Sequence, residues 1–276
     1  MGDSRAIGVF DSGLGGLTVA KRIMEVLPNE NIVYFGDTGR VPYGTKSVET
    51  VRKYAAEDES FLISKNVKMI VAACGTVSSV ASDTGKALPV PFIEVISHSV
   101  KDAVRFTKSG KIGVLATPAT IKSHAHKNLI LKAAPDTQVF ETAAPMLVSL
   151  AEEGWYTADN EIARLTIQRY LCDMKSSGID TLILGCTHFP VFEELIREYM
   201  PGVALIDMGV SAAEYIKEYL LKTNTQNNEG GKPSYEFFVS DKPVTFEKTV
   251  KIFLGENCRD ITINLVDVEK NEKSNN

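Results

Sequence analysis

The chain of 276 residues is poor in several features that mark particular classes of protein. Cysteine occurs only four times, at Cys74, Cys172, Cys186 and Cys258, and no two of these form a C-x-x-C pair. With no secretory signal at the N-terminus, such sparse usage argues against a disulfide scaffold and favours free thiols in a reducing compartment. We therefore expect a cytoplasmic protein.

Long hydrophobic runs and basic clusters are also missing. The first apolar segment is short and is broken at Asp11, which fits neither a signal peptide nor a membrane span. The formal net charge is -5, and lysine and arginine are scattered along the chain, so the footprint of a nucleic-acid-binding protein is absent. We expect no membrane association and no nucleic acid as the primary ligand.

Nucleotide, pyridoxal and metal motifs are missing as well. The glycine-containing turn at residues 11–16 has neither the spacing of a dinucleotide fingerprint nor the Gly-Lys-Ser/Thr ending of a P-loop. No lysine stands in an evident pyridoxal phosphate motif. His188 alone lies near Cys186, at a spacing that matches no standard zinc site. We expect no cofactor and no metal.

The sequence does contain a regular alternation of strand-like apolar runs and amphipathic helical stretches. This order is typical of an α/β fold with mostly parallel strands. The predicted strands are 6–10, 32–35, 69–72, 92–95, 111–115, 137–140, 181–184, 235–239 and 261–266. The predicted helices are 16–27, 47–65, 77–87, 121–133, 159–177, 192–199, 210–221 and 244–253.

The order of elements repeats, which predicts two similar lobes related by a pseudo-twofold axis. The segment Ile7–Phe10 opens the first series and the closely similar Ile112–Leu115 opens the second. Cys74 and Cys186 each follow a buried strand at nearly the same offset, although any two α/β segments share some likeness. We predict a first lobe of 1–98 with 208–266, a second lobe of 99–207, an active site in the cleft between them, and a disordered tail at 267–276.

Ligands of open α/β sheets bind at the carboxyl ends of the strands, so the two cysteines are expected to face one cleft. Each thiol is either a small buried hydrophobe or a catalytic group. A helix start after each cysteine lowers a thiol pKa, and His188 would either accept the proton of Cys186 or stabilise its thiolate. Two facing thiols suit the removal of a proton from one face of a carbon and delivery to the other, which is racemisation by two bases.

The turn at residues 11–16 has a structural and a functional interpretation. It is either a simple capped connection from strand to helix or a site for a small anion at a helix start, with Ser12 as hydrogen-bond partner and Asp11 as orienting or basic group.

Several long motifs, in order along the chain, resemble those of bacterial glutamate racemases. They are IGVFDSGLGGLTV at 7–19, YFGDT at 34–38, RVPYG at 40–44, EEGW at 152–155, LILGCTHFP at 182–190, PGVALID at 201–207 and VSDKP at 239–243. The resemblance implies a cofactor-independent enzyme that interconverts L-glutamate and D-glutamate and supplies D-glutamate for peptidoglycan synthesis. We expect it to act as a homodimer.

The resemblance also implies roles at the matching positions. Cys74 would be the base for D-glutamate and Cys186 the base for L-glutamate. Asp11, His188 and Glu153, or its neighbour Glu152, would assist the thiols. The residues implied to line the glutamate pocket, largely as donors to its carboxylates, are Asp11, Ser12, Pro42, Tyr43, Gly44, Gly75, Thr76, Thr117, Thr120, Thr187 and His188.

One departure from the family pattern lies beside the first thiol. The family normally has Asn after this cysteine, whereas this chain has Gly75, which keeps the backbone N–H but lacks an amide that would contact substrate. We predict weaker or altered substrate binding, to be tested by the kinetics of Gly75→Asn. His126 stands where the family often has Tyr and, like His124, is expected on a solvated helix face.

Two other functions remain open from the sequence. One is a racemase of the same superfamily that acts on another amino acid such as aspartate. The other is a binding protein that keeps the fold but has lost efficient turnover.

Overall fold

The computed structural model describes residues 2–242, 246–255 and 262–267. Cys258, the predicted tail beyond residue 267 and the first two residues of the helix predicted at 244–253 lie outside the described residues. Within these ranges no helix has both the length and the hydropathy needed to cross a bilayer.

The described residues form alternating strands and helices along the whole chain. The strands are β1 (Ile7–Asp11), β2 (Ile32–Gly36), β3 (Met69–Ala72), β4 (Phe92–Glu94), β5 (Lys111–Ala116), β6 (Gln138–Ala143), β7 (Thr181–Gly185), β8 (Ala204–Asp207), β9 (Tyr235–Val239) and β10 (Ile263–Leu265). The helices are α1 (Leu17–Val26), α2 (Val48–Ser64), α3 (Gly75–Val80), α4 (Val95–Phe106), α5 (Pro118–Ser123), α6 (Ala125–Ala133), α7 (Pro145–Glu152), α8 (Glu161–Ser177), α9 (Glu193–Tyr199), α10 (Met208–Thr223) and α11 (Phe246–Leu254). Short 3₁₀ turns cover Tyr43–Thr45, Thr84–Ala87 and Phe189–Phe192.

The strands form two parallel sheets, which confirms the predicted α/β fold class. One sheet has the order β10-β9-β2-β1-β3-β4 and the other the order β6-β5-β7-β8. The described strand pairs are parallel in both sheets. Four strands of each sheet therefore follow the same second-first-third-fourth order, in which β3 of the first series corresponds to β7 of the second.

Burial explains why these strands read as continuous apolar runs. Every residue of β1, β3 and β7 is buried, as expected for parallel strands covered by helices on both faces. Helix α10 leads from the second sheet back to the first and packs against α1 and α4. The His98 ring of α4 stacks on Tyr215 of α10, with ring centroids 3.8 Å apart.

The sequence-based assignment missed three elements. Helix α4 begins directly after β4, and the strand predicted at 92–95 overlaps its first residue. At this helix start the Glu94 side chain accepts hydrogen bonds from the amides of Ile96 at 2.7 Å and Ser97 at 2.9 Å. Helix α7 begins at Pro145, a residue favoured in the first turn of a helix. Strand β8 has only four residues.

Two predicted helices are interrupted. The segment 77–87 is a short helix, α3, followed by a separate 3₁₀ turn. The segment 121–133 is split at His124, whose φ of 53° lies in the left-handed region. The expected solvated face was wrong for His126, which is buried, whereas His124 is exposed and its Nδ1 lies 2.8 Å from Glu141 Oε2.

Asp180 ties the start of β7 to the connection between α4 and β5. Its carboxylate accepts hydrogen bonds from Thr107 Oγ1 at 2.7 Å, Lys108 N at 2.7 Å and Ser109 N at 2.6 Å. Burial opposes ionisation, but these donors outweigh it and hold the pKa of Asp180 below its ordinary value. The ionised carboxylate therefore stabilises the fold.

Asp180→Asn is expected to lower the melting temperature near pH 7, because the neutral amide accepts these bonds less strongly. A lowered pKa gives stability that is present above the unfolded-state value of about 4 and is lost as the pH falls further, so the gap to wild type should narrow below about pH 4. Thermal melts followed by circular dichroism measure this. Asp136→Asn, at an exposed position, serves as the control, and a pH-independent gap would contradict the account.

Candidate active site

A cavity of about 250 Å³ lies where the carboxyl ends of the two sheets meet. Ser12 follows β1, Cys74 follows β3, Thr117 follows β5 and Cys186 follows β7, so both lobes contribute to its wall. The wall consists of Ser12, Val41, Pro42, Tyr43, Gly44, Thr45, Cys74, Gly75, Thr76, Thr117, Pro118, Pro145, Val148, Ser149, Gly185, Cys186, Thr187 and His188.

Most residues expected at the site lie in this wall, while Asp11, Thr120 and Glu153 do not. Sequence reasoning missed some wall residues that are chain neighbours of expected ones: Val41, Thr45, Pro118 and Gly185. It also missed Pro145, Val148 and Ser149, all on α7, a helix that the sequence reading did not identify. The sequence signal that could have predicted helix α7 is Pro145, because proline is favoured in the first turn of a helix.

Cys74 precedes the first turn of α3 and is buried, with its Sγ 3.6 Å from Ser12 Oγ. Burial, and then the nearby Asp11 carboxylate, raise the pKa of the Cys74 thiol to about 12. The amide of Val77 and the Ser12 hydroxyl act in the opposite direction but are outweighed. The expectation that a helix start lowers this pKa was therefore wrong for Cys74, which is a protonated thiol at neutral pH.

Cys186 lies beside a charged histidine. His188 Nδ1 is 3.7 Å from Cys186 Sγ, and His188 Nε2 is 3.1 Å from Glu152 Oε1. Burial alone would lower the pKa of His188, but its contacts with Cys186 and Glu152 outweigh burial and raise the pKa to about 10. His188 is therefore an imidazolium at neutral pH, and its Nδ1 faces the Cys186 sulfur.

The carboxylate that meets His188 belongs to Glu152, which corrects the expectation for Glu153. Glu152 is the last residue of α7, and Glu153 is exposed one position later. The main-chain carbonyl of Glu153 accepts a hydrogen bond from Lys248 Nζ at 2.6 Å. Because successive residues of a helix differ by about 100° in direction, only one of the two side chains reaches His188.

Asp11 and Thr120 lie behind the wall. Asp11 is fully buried and accepts a hydrogen bond from Gly13 N at 3.0 Å. Burial raises the pKa of Asp11 despite the opposing attraction of His188. Thr120 Oγ1 lies 3.0 Å from Thr117 Oγ1, which is 3.2 Å from Thr76 Oγ1, so these three hydroxyls form a chain across the lobes.

The two lobes touch directly beside both thiols. A Cβ placed on Gly75 would lie 2.7 Å from the Gly185 carbonyl oxygen, closer than Cβ atoms approach other groups. A Cβ on Gly15 would lie 2.5 Å from the Thr187 hydroxyl. Thr18 Oγ1 donates to the Thr187 carbonyl across the same boundary at 2.9 Å. Glycine at these positions therefore permits the observed width of the cleft.

The wall is nearly free of charge. Among the described wall residues, His188 is the one charged side chain, and the polar side chains other than His188 and the two thiols are hydroxyls. The Tyr43 hydroxyl is already bonded to Asp37 and lies 3.0 Å from Asp58 Oδ2, so it is turned away from any ligand. Within the described residues, no group of three or more His, Cys, Asp or Glu side chains is arranged to hold a metal ion.

Glu152→Gln is expected to lower the pKa of the His188 imidazole, because a neutral amide no longer stabilises the imidazolium. NMR titration of the His188 ring protons, assigned with a His188→Asn sample, measures the change. Glu153→Gln, one residue along the chain, is the matched control and should leave the titration unchanged. An equal fall in both variants would contradict the geometry.

Comparison with known proteins gives close relatives along most of the chain. A family model described as Asp/Glu/Hydantoin racemase matches residues 7–216. A glutamate racemase of Neisseria meningitidis serogroup C is 44% identical over 263 residues, which cover 95% of this chain and 97% of the relative. A glutamate racemase of Syntrophus aciditrophicus is 44% identical over 253 residues, covering 91% and 93%.

Solved structures show the same fold. The glutamate racemase of Francisella tularensis, crystallised in complex with D-glutamate, has a TM-score of 0.89 and 38% identity and covers 97% of this chain and 99% of that one. The aspartate racemase of Picrophilus torridus has a TM-score of 0.55 at 17% identity, covering 78% and 94%, which is a likeness of fold alone. The resemblance drawn from the motifs is confirmed, and the chain belongs to the Asp/Glu/Hydantoin racemase family.

Proposed function

We propose that this chain is a cofactor-independent glutamate racemase in which Cys74 and Cys186 exchange protons with the two faces of the substrate Cα. The observation that carries the proposal is the presence of both thiols in the wall of one cavity, on topologically equivalent strands of the two lobes. The names of the relatives that match nearly the whole chain support glutamate as the substrate.

The neutral wall suits a dicarboxylate substrate. The hydroxyls of Ser12, Thr76, Thr117, Ser149 and Thr187 line the cavity and donate to carboxylate oxygens. Fixed dipoles in a buried site stabilise developing negative charge without needing to reorganise during the reaction. The carbanion-like transition state at Cα is stabilised by the same donors.

The contact between His188 and Cys186 favours a specific first step with L-glutamate. The Cys186 thiolate removes the Cα proton, so that the Cα–H bond breaks and an S–H bond forms. The Cys74 thiol then delivers its own proton to the opposite face, which forms the new Cα–H bond and leaves Cys74 as a thiolate. The product is D-glutamate, and the thiols have exchanged protonation states.

The reverse direction begins from a Cys74 thiolate. Because the pKa of the Cys74 thiol is about 12 in the free protein, its ionisation has to be assisted. Asp11, buried nearby with a raised pKa, is the proposed assisting group. At Cys186 the proposed assisting group is the His188 imidazolium, held by Glu152, whose positive charge lies beside the sulfur that removes the proton.

The two alternative functions have less support. The aspartate racemase likeness is one of fold, whereas the glutamate racemases match in sequence along nearly the whole chain. A binding protein without turnover would not need both thiols in the cavity wall. Circular dichroism of L-glutamate with the protein tests the proposed function against both alternatives, since a glutamate racemase drives the signal to zero.

The proposal extends to the biological setting. Bacterial relatives named glutamate racemase support a role in supplying D-glutamate for peptidoglycan synthesis in the cytoplasm. The homodimer expected from the sequence is likewise part of the proposal.

Replacing each thiol should impair the reaction unequally in the two directions. Cys186→Ser is expected to slow Cα–H exchange from L-glutamate and Cys74→Ser exchange from D-glutamate, each by about a hundredfold or more, because an alcohol is a far weaker base than a thiolate. Solvent deuterium incorporation at Cα, followed by NMR from each enantiomer, measures this. Cys172→Ser, in helix α8 away from the cavity, is the matched control, and two fully active thiol variants would remove the mechanism.

Gly75→Asn is expected to lower kcat/KM by on the order of tenfold, because crowding by the added side chain outweighs any gain from its amide. The added Cβ meets the Gly185 carbonyl oxygen, so the lobes have to move apart beside both thiols. Overpacking of this kind also lowers the free energy of unfolding by about 1–3 kcal/mol. Gly230→Ala, where a Cβ meets open space, is the control, and a higher kcat/KM in Gly75→Asn would show that the missing amide matters more than the contact.

A further inference from the structure

A buried acidic cluster lies directly behind one wall of the cavity. It consists of Asp37 after β2, Arg40 and Tyr43 on the following loop, and Glu57 and Asp58 on α2. Asp37 and Asp58 have no exposed surface. Tyr43 opens the 3₁₀ turn Tyr43–Thr45, which lines the cavity, so the cluster and the cavity share one segment of chain.

The Asp37 carboxylate accepts hydrogen bonds from three side chains. It accepts from Arg40 Nε at 2.6 Å, from Ser240 Oγ at 2.7 Å and from the Tyr43 hydroxyl. An ionised carboxylate provides acceptor sites for all three donors. Asp37 is therefore the ionised partner of Arg40.

Asp58 is placed differently. Its Oδ1 accepts from Arg40 Nη2 at 3.1 Å, and its Oδ2 lies 3.0 Å from the Tyr43 hydroxyl oxygen. The phenol has a single proton, which burial and the adjacent carboxylates hold firmly by raising the pKa of Tyr43. Asp37 Oδ2 also accepts from Arg40 Nε, so this oxygen is an acceptor and takes the phenol proton. The contact between Tyr43 and Asp58 Oδ2 is then a hydrogen bond only if Asp58 supplies a proton.

We infer that Asp58 is a neutral carboxylic acid that donates to the Tyr43 hydroxyl and thereby positions the Tyr43–Thr45 turn against the substrate. The chain of bonds runs from Asp58 to Tyr43 to Asp37, with each hydroxyl donating to the next oxygen. Asp58 does not line the cavity, so it is a positioning residue, and this part of the inference rests on the proposed glutamate racemase function.

The surrounding charges agree with a neutral Asp58. The groups that face it are Asp37, Arg40 and Tyr43 from the loop and Glu57 from its own helix, and Lys53 lies 3.6 Å from Glu57 at the exposed edge. If ionised, Asp58 would be the third carboxylate around one guanidinium. Burial, and then repulsion by Asp37, raise the pKa of Asp58 well above its ordinary value.

Kinetics with glutamate test the positioning role. Asp58→Ala should raise KM by on the order of tenfold and leave kcat within about twofold, because the loss of one hydrogen bond loosens a binding wall and leaves the thiols in place. Asp58→Asn should retain the wild-type KM, since its amide donates to Tyr43 and its oxygen accepts from Arg40. Glu59→Gln, a buried neighbour on α2 whose carboxylate bonds to Thr84 away from the cavity, is the control.

Melting temperatures test the protonation state without reference to activity. A raised pKa gives stability that is present below the unfolded-state value of about 4 and is lost as the pH rises. The melting temperature of Asp58→Asn relative to wild type should therefore increase between about pH 5 and about pH 8. Asp37→Asn, which removes the ionised partner of Arg40, should have a lower melting temperature than wild type at both pH values.

The outcomes separate the two proposals. Wild-type protein that fails to racemise glutamate overturns the proposed function, while the melting experiment still tests the neutral acid. Active wild type with an unchanged KM in Asp58→Ala, or with an equal rise of KM in Asp58→Asn and Asp58→Ala, overturns the positioning role. Destabilisation of Asp58→Asn as large as that of Asp37→Asn at about pH 8 shows that Asp58 is ionised and overturns the inference.

Discussion

The direct contact of the two lobes at Gly75 and Gly185 sets the geometry on which the site depends. Each glycine is a chain neighbour of one thiol, so the backbone contact sets how closely the Cys74 and Cys186 segments approach each other in the cavity wall. The contact is possible because β3 and β7 occupy corresponding positions in their sheets and end at the same boundary. A side chain at Gly75 would meet the Gly185 carbonyl oxygen and widen the cleft beside the thiols, where small displacements have large effects on rate.

The two buried thiols have neighbours of opposite charge. At Cys74 the nearest charge is the carboxylate of Asp11, so burial and charge both favour the neutral thiol. At Cys186 the adjacent group is an imidazolium, which Glu152 keeps protonated despite burial. The two sulfur atoms in one cavity wall therefore lie beside groups of opposite charge.

The sequence predicted what depends on local pattern. The buried runs of β3 and β7, the fold class and most of the cavity wall follow from apolar periodicity and from the motifs around Cys74 and Cys186. The choice between Glu152 and Glu153 depends on where α7 ends and which direction each side chain takes, and α7 itself was missed. The pKa of Cys74 depends on burial by residues distant in sequence, and for this reason the helix-start argument failed there.

The protonation state of the acidic cluster affects the binding of a negatively charged substrate as well as the position of the cavity wall. Glutamate brings two carboxylates into a cavity whose described wall contains no lysine or arginine, so every uncompensated negative charge behind that wall opposes binding. With Asp58 neutral, Arg40 faces two carboxylates, those of Asp37 and Glu57, and Lys53 lies at the exposed edge. Ionisation of Asp58 would add a buried negative charge on the Tyr43 side of the cavity, where little solvent screens it. A neutral acid at this position donates to the Tyr43 hydroxyl, which holds the loop, and spares the substrate that repulsion.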